Sequence, residues 1–161
     1  MPMMDLDLPE GALDQAAERD LIAKLTDILL RWEGADPENP RVREIAWVFV
    51  HRGHDVYVAG APSDGPRYRA RVSVPQGQFD DERRAGMVAA VTEAILDAEA
   101  GRYPRDPRRV WVFPQEIPEG TWGAAGRIWR LADIAGRALG DPELGRRHAE
   151  MRLAPKEPAP V

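Results

Sequence analysis

At the start of the chain, Met4, Leu6 and Leu8 alternate with Met3, Asp5 and Asp7. A period of two predicts a half-buried strand. Beyond Asp14 the period lengthens: apolar residues at 21, 22, 25, 28, 29 and 32 form one stripe of a helix. Asp14 is placed as its N-cap and Gly34 as its stop. After the turn-rich segment 35–40, the near-continuous apolar run Ile45–Val50 predicts a second, more buried strand. The pattern then repeats at an offset of 66: Pro9, Gly11 and Asp14 return as Pro75, Gly77 and Asp80, and Leu21, Ile22, Leu25, Thr26 and Leu29 as Met87, Val88, Val91, Thr92 and Ile95. With a two-residue slip, Trp47-Val48-Phe49 returns as Trp111-Val112-Phe113. The second unit therefore predicts a strand over Tyr68–Val74, a helix over Asp80–Ala98 and a strand over Val110–Phe113.

Two β-α-β units in series predict an α+β fold: a four-stranded sheet with two helices on one face, plus short hairpins. On the other face the first strand carries Asp5 and Asp7, and its counterpart carries Arg67, Arg69 and Arg71. If a two-fold relates the units, these strands run antiparallel at the centre, so that Asp5 faces Arg71 and Asp7 faces Arg69. The other reading of this basic strip is a contact for a substrate anion. Asp55–Gly60 and the turn residues Pro62–Pro66 predict an inserted hairpin, and Gly120–Gly126 a loop or hairpin. Ile128–Leu139 has a weak helical pattern that ends at Gly140. The expected organisation is a single domain over 1–140, with repeat units at about 2–52 and 66–116 and a C-terminal hairpin and helix, followed by a flexible tail over 141–161.

Composition narrows the functional classes. With 161 residues and 43% hydrophobic content the chain can bury a core. The absence of Cys removes thiol nucleophiles and thiolate metal sites, and makes the cytoplasm the expected address. Lys and Arg number 22 against 27 Asp and Glu, a net charge of −5 that argues against nucleic acid as a partner. No apolar run reaches the roughly 18 residues of a membrane span, so no membrane association is expected. His51 and His54 are three apart but lack a third ligand, so no metal site is expected.

The residue that carries chemistry is Pro2. A small second residue allows removal of the initiator Met, leaving a secondary amine; burial would lower its pKa and make it a base able to take a proton from carbon beside a carbonyl. The Met-Pro start running into a strand, the turn Leu8-Pro9-Glu10-Gly11, the two β-α-β units and the segment Glu116–Gly126 together resemble the tautomerase superfamily. Asp55–Gly60 and Val110–Phe113 fit its fused two-unit members, similar to cis-3-chloroacrylic acid dehalogenase and 4-oxalocrotonate tautomerase. The resemblance covers about Pro2 to Leu139. It implies a cofactor-free enzyme with an amino-terminal proline as general base or acid, within an oligomer that is a trimer for fused chains.

Carried over residue by residue, the resemblance makes Pro2 catalytic and puts Trp122 at the pocket phenylalanine of tautomerases. Their substrate-binding arginines fall on Ala12, Gln78 and Trp111. The dehalogenase positions become Pro75 and Gln78 for the arginines, Leu29 for the His, Phe113 for the Tyr and Ala124 for the water-activating Glu. The pocket expected around Pro2 then holds Gln78, Trp111, Phe113 and Trp122, with Arg127 matching a dehalogenase arginine as the first choice for a charged contact and Arg108 and Arg109 behind it. The expected activity is a keto–enol tautomerase acting on a small carbonyl or carboxylate substrate, as a homotrimer. Two alternatives stand beside it: a catalytically impaired member serving as a binding oligomer, and a hydratase or decarboxylase of unsaturated acids.

Overall fold

A computed structural model describes residues 1–53 and 55–154. Strand β1 (Met3–Asp7) leads into helix α1 (Gln15–Glu33), whose first turn is capped by Asp14 accepting from Ala17 N at 2.8 Å. Gly34 ends α1 at φ 91, with its N–H turned back to Leu30 O and Arg31 O. The short helix α2 (Pro40–Arg43) then delivers the chain to β2 (Trp47–His51). The hairpin β3 (Tyr57–Val58) and β4 (Ala61–Pro62) turns at Ala59-Gly60 rather than at Pro62–Pro66, both turn residues having positive φ. The second unit is β5 (Tyr68–Pro75), α3 (Asp81–Ala98) and β6 (Val110–Ile117). After it come the hairpin β7 (Trp122–Ala124) and β8 (Arg127–Trp129), then α4 (Leu131–Leu139) and α5 (Pro142–Leu153).

The main sheet has the order β2-β1-β5-β6, with β1 parallel to β2, β5 parallel to β6 and the two inner strands antiparallel. The expected register holds: Asp5 stands opposite Arg71 and Asp7 opposite Arg69. Inward-facing Met4, Leu6, Ala70, Val72 and Val74 form the core with Leu21, Leu25 and Leu29 of α1 and Met87, Val91 and Ile95 of α3. The two helices approach closely where Gly86 meets the ring of Trp32.

Among the described residues, no helix covers the other face of the sheet. Its centre is ionic: Arg69 Nε lies 2.5 Å from Asp7 Oδ2, and His51 Nε2 lies 2.7 Å from Asp5 Oδ1. Its two edges are aromatic, with Trp47 edge-on to Phe49 (ring centroids 6.0 Å apart) and Trp111 edge-on to Phe113 (6.5 Å). The second strand is therefore not the more buried one expected from its apolar run: β2 closes the sheet, and Trp47 points away from the helices at 60% exposure.

The C-terminal segment also departs from expectation. Residues Pro142–Leu153, expected within a flexible tail, form a capped helix packed on α4. The crossing is close because Gly145 backs directly onto the backbone of Gly136 and Ala132, and two glycines leave no apolar stripe for a sequence to display. The remainder of the expected tail, 155–161, lies outside the described residues.

One buried ionic cluster joins the end of α3 to β5 and β6. Glu99, 1% exposed, receives both terminal nitrogens of Arg109 at 2.5 Å and the Tyr68 hydroxyl at 2.9 Å. Burial, then the neighbouring carboxylate, push the Tyr68 hydroxyl pKa far up. Arg109 is thus committed to Glu99 and is not the contact for a substrate anion considered above. Arg109→Met is expected to cost about 3–5 kcal/mol in denaturant unfolding, because it strands a buried carboxylate, and Arg109→Met with Glu99→Leu should recover most of that loss.

Candidate active site around the amino terminus

Pro2 is buried at the head of the inner strand β1, where its carbonyl accepts from Trp47 N at 3.2 Å. It forms part of the wall of a cavity of about 420 Å³ lined also by Trp47, Phe49, Ile117 and Trp122. Trp122 reaches it because β7 and β8 fold back over the end of β6 through the turn Ala125-Gly126, with φ 51 and 74. Thr121 N and Oγ1 on Pro118 O, and Trp129 Nε1 on Ala124 O, hold this hairpin at both ends.

A second, more polar cavity of about 330 Å³ meets the first at Met1 and Pro2, which line both. Glu33 at the end of α1, Gln78 before α3 and His148 on α5 contribute to it. The Met1 ammonium lies 3.6 Å from Glu33 Oε1. Burial lowers the amine pKa, and Glu33 opposes that shift. The same burial raises the Glu33 carboxyl above the usual range, against the pull of the ammonium. His148 is lowered by burial and then by Arg83. Gln78 is 3% exposed, and its Nε2 has no hydrogen-bond partner among the described residues, so a buried amide donor lines the same cavity as Met1 and Pro2. Met1 and Pro2 thus stand between two cavities, one apolar and the other hydrogen-bonding.

Of the site residues expected from the sequence, the structure gathers Pro2, Trp122 and Gln78. Trp111 and Phe113 stand on β6, away from the Pro2 cavities: Trp111 pairs with Arg69 at the far end of the sheet, and β5 separates β6 from β1. Arg127 lies on β8, with its guanidinium stacked 4.0 Å over Trp129 and 3.9 Å from Asp133, and does not line either cavity. No arginine lines either one among the described residues. Glu33 and His148 are additions that the sequence did not signal, the first because it closes an ordinary helix, the second because it sits in a segment with little apolar pattern. His51 is paired with Asp5, while His54 lies outside the described residues.

No family model and no curated protein matches the chain. Solved structures do. The chain is similar to Pt0534 inactivated by 2-oxo-3-pentynoate (TM-score 0.62, 21% identity, covering 78% of this chain and 94% of that one). It is similar to a fused 4-OT described as a wild-type symmetric trimer (TM-score 0.63, 20% identity, 78% and 93%). It is also similar to N1, a member of the cis-3-chloroacrylic acid dehalogenase family (TM-score 0.62, 16% identity, 78% and 82%). The chain shares the fold of these solved structures. Within that fold, the amino terminus of this chain is buried, and Gln78 stands at a position where the sequence resemblance expects arginine.

Removing the Glu33 charge should make the ammonium harder to maintain. In the chain that keeps Met1, Glu33→Gln is therefore expected to shift the titration of the Met1 amine to lower pH, read as the pH dependence of its acylation rate. An unshifted profile would place Glu33 outside the electrostatic reach of the amine.

Proposed function

We propose that the chain is a keto–enol tautomerase in which Pro2, freed by removal of Met1, is the general base. The observation that carries this reading is the position of Pro2: buried at the head of a central strand, between an aromatic cavity and a hydrogen-bonding one. Desolvation favours the neutral amine at working pH. The neutral amine takes a proton from carbon next to a carbonyl and returns it to the other end of the enol. Gln78 Nε2 is a suitable donor to the oxygen on which charge develops, a smaller contribution than arginine makes but one that a small proton-transfer barrier tolerates. Trp47, Phe49 and Trp122 favour a substrate with an aromatic or extended unsaturated group. Hydration or decarboxylation of an unsaturated acid would need a cation to hold the carboxylate, and the Pro2 cavities lack arginine among the described residues. The same lack is the observation that favours the second reading, a binding oligomer without catalysis.

The proposal includes a homotrimer. The helix-free face leaves Trp47 and Trp111 at 60% and 66% exposure along the two edges of the sheet, an apolar area that a neighbouring copy would cover. The similarity to a trimeric fused 4-OT supports three copies. In such an assembly Trp111, Phe113 and Arg127 remain available to a neighbour's Pro2.

Mass spectrometry of the purified protein should find Pro2 as the first residue. 2-Oxo-3-pentynoate, which inactivates the similar Pt0534, should then add once, at the Pro2 nitrogen. Pro2→Ala should lower the ketonisation rate of an arylpyruvate enol by about 10²–10⁴-fold, and wild-type activity should fall on the acid side as the amine is protonated. Unchanged activity in Pro2→Ala would leave the binding oligomer as the better reading. Trp47→Asp with Trp111→Asp should yield monomers in sedimentation, where the wild type sediments as a trimer.

A further inference from the structure

The internal repeat extends beyond strands and helices. The turn Ala59-Gly60 (φ 51 and 83) matches Ala125-Gly126 (φ 51 and 74) at the same offset of 66, so the hairpins β3–β4 and β7–β8 are themselves counterparts. Strand registers agree: Met3 pairs with Trp47 in the first unit, Arg69 with Trp111 in the second. Tyr68 is accordingly the counterpart of Pro2, and Arg67 and Arg69 those of Met1 and Met3.

Where Pro2 meets the cavity beneath β7–β8, Tyr68 meets one of about 530 Å³ beneath β3–β4. The two differ in chemistry. The chain runs on through Tyr68, so no free amine is present, and its hydroxyl is already spent on Glu99 at 2.9 Å. In place of methionines, arginines line the cavity: Arg67, Arg69, Arg108 and Arg109, against Asp7 and Asp55. Arg69 is held by Asp7 and Arg109 by Glu99. Among the described residues Arg67 has Ser63 Oγ at 3.1 Å and an exposed carboxylate, Asp64, at 3.7 Å; Arg108 is held by both oxygens of Asp106, at 2.9 and 3.1 Å, with its side chain 88% exposed. An exposed, single-contact pair such as Arg67–Asp64 yields readily to another carboxylate, and Arg108 keeps N–H groups beyond the two that Asp106 takes. Tyr57 and Trp111 supply aromatic walls.

We propose that this second cavity is a non-catalytic binding site for an aromatic monocarboxylate, with Arg67 and Arg108 taking the carboxylate and Tyr57 and Trp111 the ring. The volume lies within the range of small-molecule pockets, and arginine forks suit a planar carboxylate. Trp111 stands between the cavity and the helix-free face as Trp47 does beside Pro2, so a copy closing over that face would wall both cavities alike. The site does not depend on catalysis by Pro2.

Titration calorimetry of the full chain with phenylacetate tests it. Arg67→Ala with Arg108→Ala should weaken binding by about tenfold or more, the loss expected for a charge-assisted hydrogen bond. Tyr57→Ala should weaken it too, and Trp122→Ala, in the other cavity, should leave it unchanged. All four side chains lie outside the main core cluster, and retained circular dichroism would separate a binding loss from unfolding; Arg108→Gln serves as a milder variant at a surface position. No heat of binding, full affinity in the arginine variants, or an equal loss in Trp122→Ala would overturn the proposal.

Discussion

The antiparallel pairing of β1 with β5 is the contact on which the rest of the molecule rests. It joins two β-α-β units into one sheet and aligns their inward-facing residues, so that α1 and α3 share a single core. The same register brings Asp7 to Arg69 on the opposite face, placing an ionic centre between two aromatic edges. A one-residue slip would turn Met4, Leu6, Val72 and Val74 out of the core and bury charge instead, which is why this register is strongly specified. The head of β1 then lies at the same end of the sheet as the end of β6, where a hairpin can reach over it with Trp122.

Duplication also explains why one chain presents two similar hollows of unlike chemistry. The units share strand register and hairpin turns, yet only the first begins at a chain terminus. A terminal amine is present at one end of the pseudo-two-fold and absent at the other, where the same backbone carries Arg67, Tyr68 and Arg69. Architecture is repeated; the chemistry at the head of the strand is not.

Much of the fold was legible because its signals are periodic. The alternation through Met4, Leu6 and Leu8, the helical stripes and the returning Pro-Gly-Asp spacing together dictated strands, helices and even the facing of Asp5 and Asp7 on Arg71 and Arg69. What escaped is not periodic. Trp47 and Phe49 read as apolar and therefore buried, although an edge strand on a helix-free face leaves them in the open. Helix α5 hides behind Gly145 and Ala149, side chains too small to mark a stripe. Within the site, Trp122 lines one of the two cavities at Pro2 and Gln78 the other, while Trp111 and Phe113 stand on β6, with β5 between them and β1. Glu33 and His148 are brought in by helix ends and a C-terminal helix, contacts that exist only after folding.

The central claim is that burial at the head of β1 makes the amino terminus a base. Its most direct measurement is a ¹⁵N NMR titration of the purified protein labelled at proline. The account predicts a terminal Pro2 amine that titrates clearly below the roughly 8 of an ordinary α-amine. A terminal amine at or above that value, or a Pro2 nitrogen that remains an amide at every pH, would contradict it.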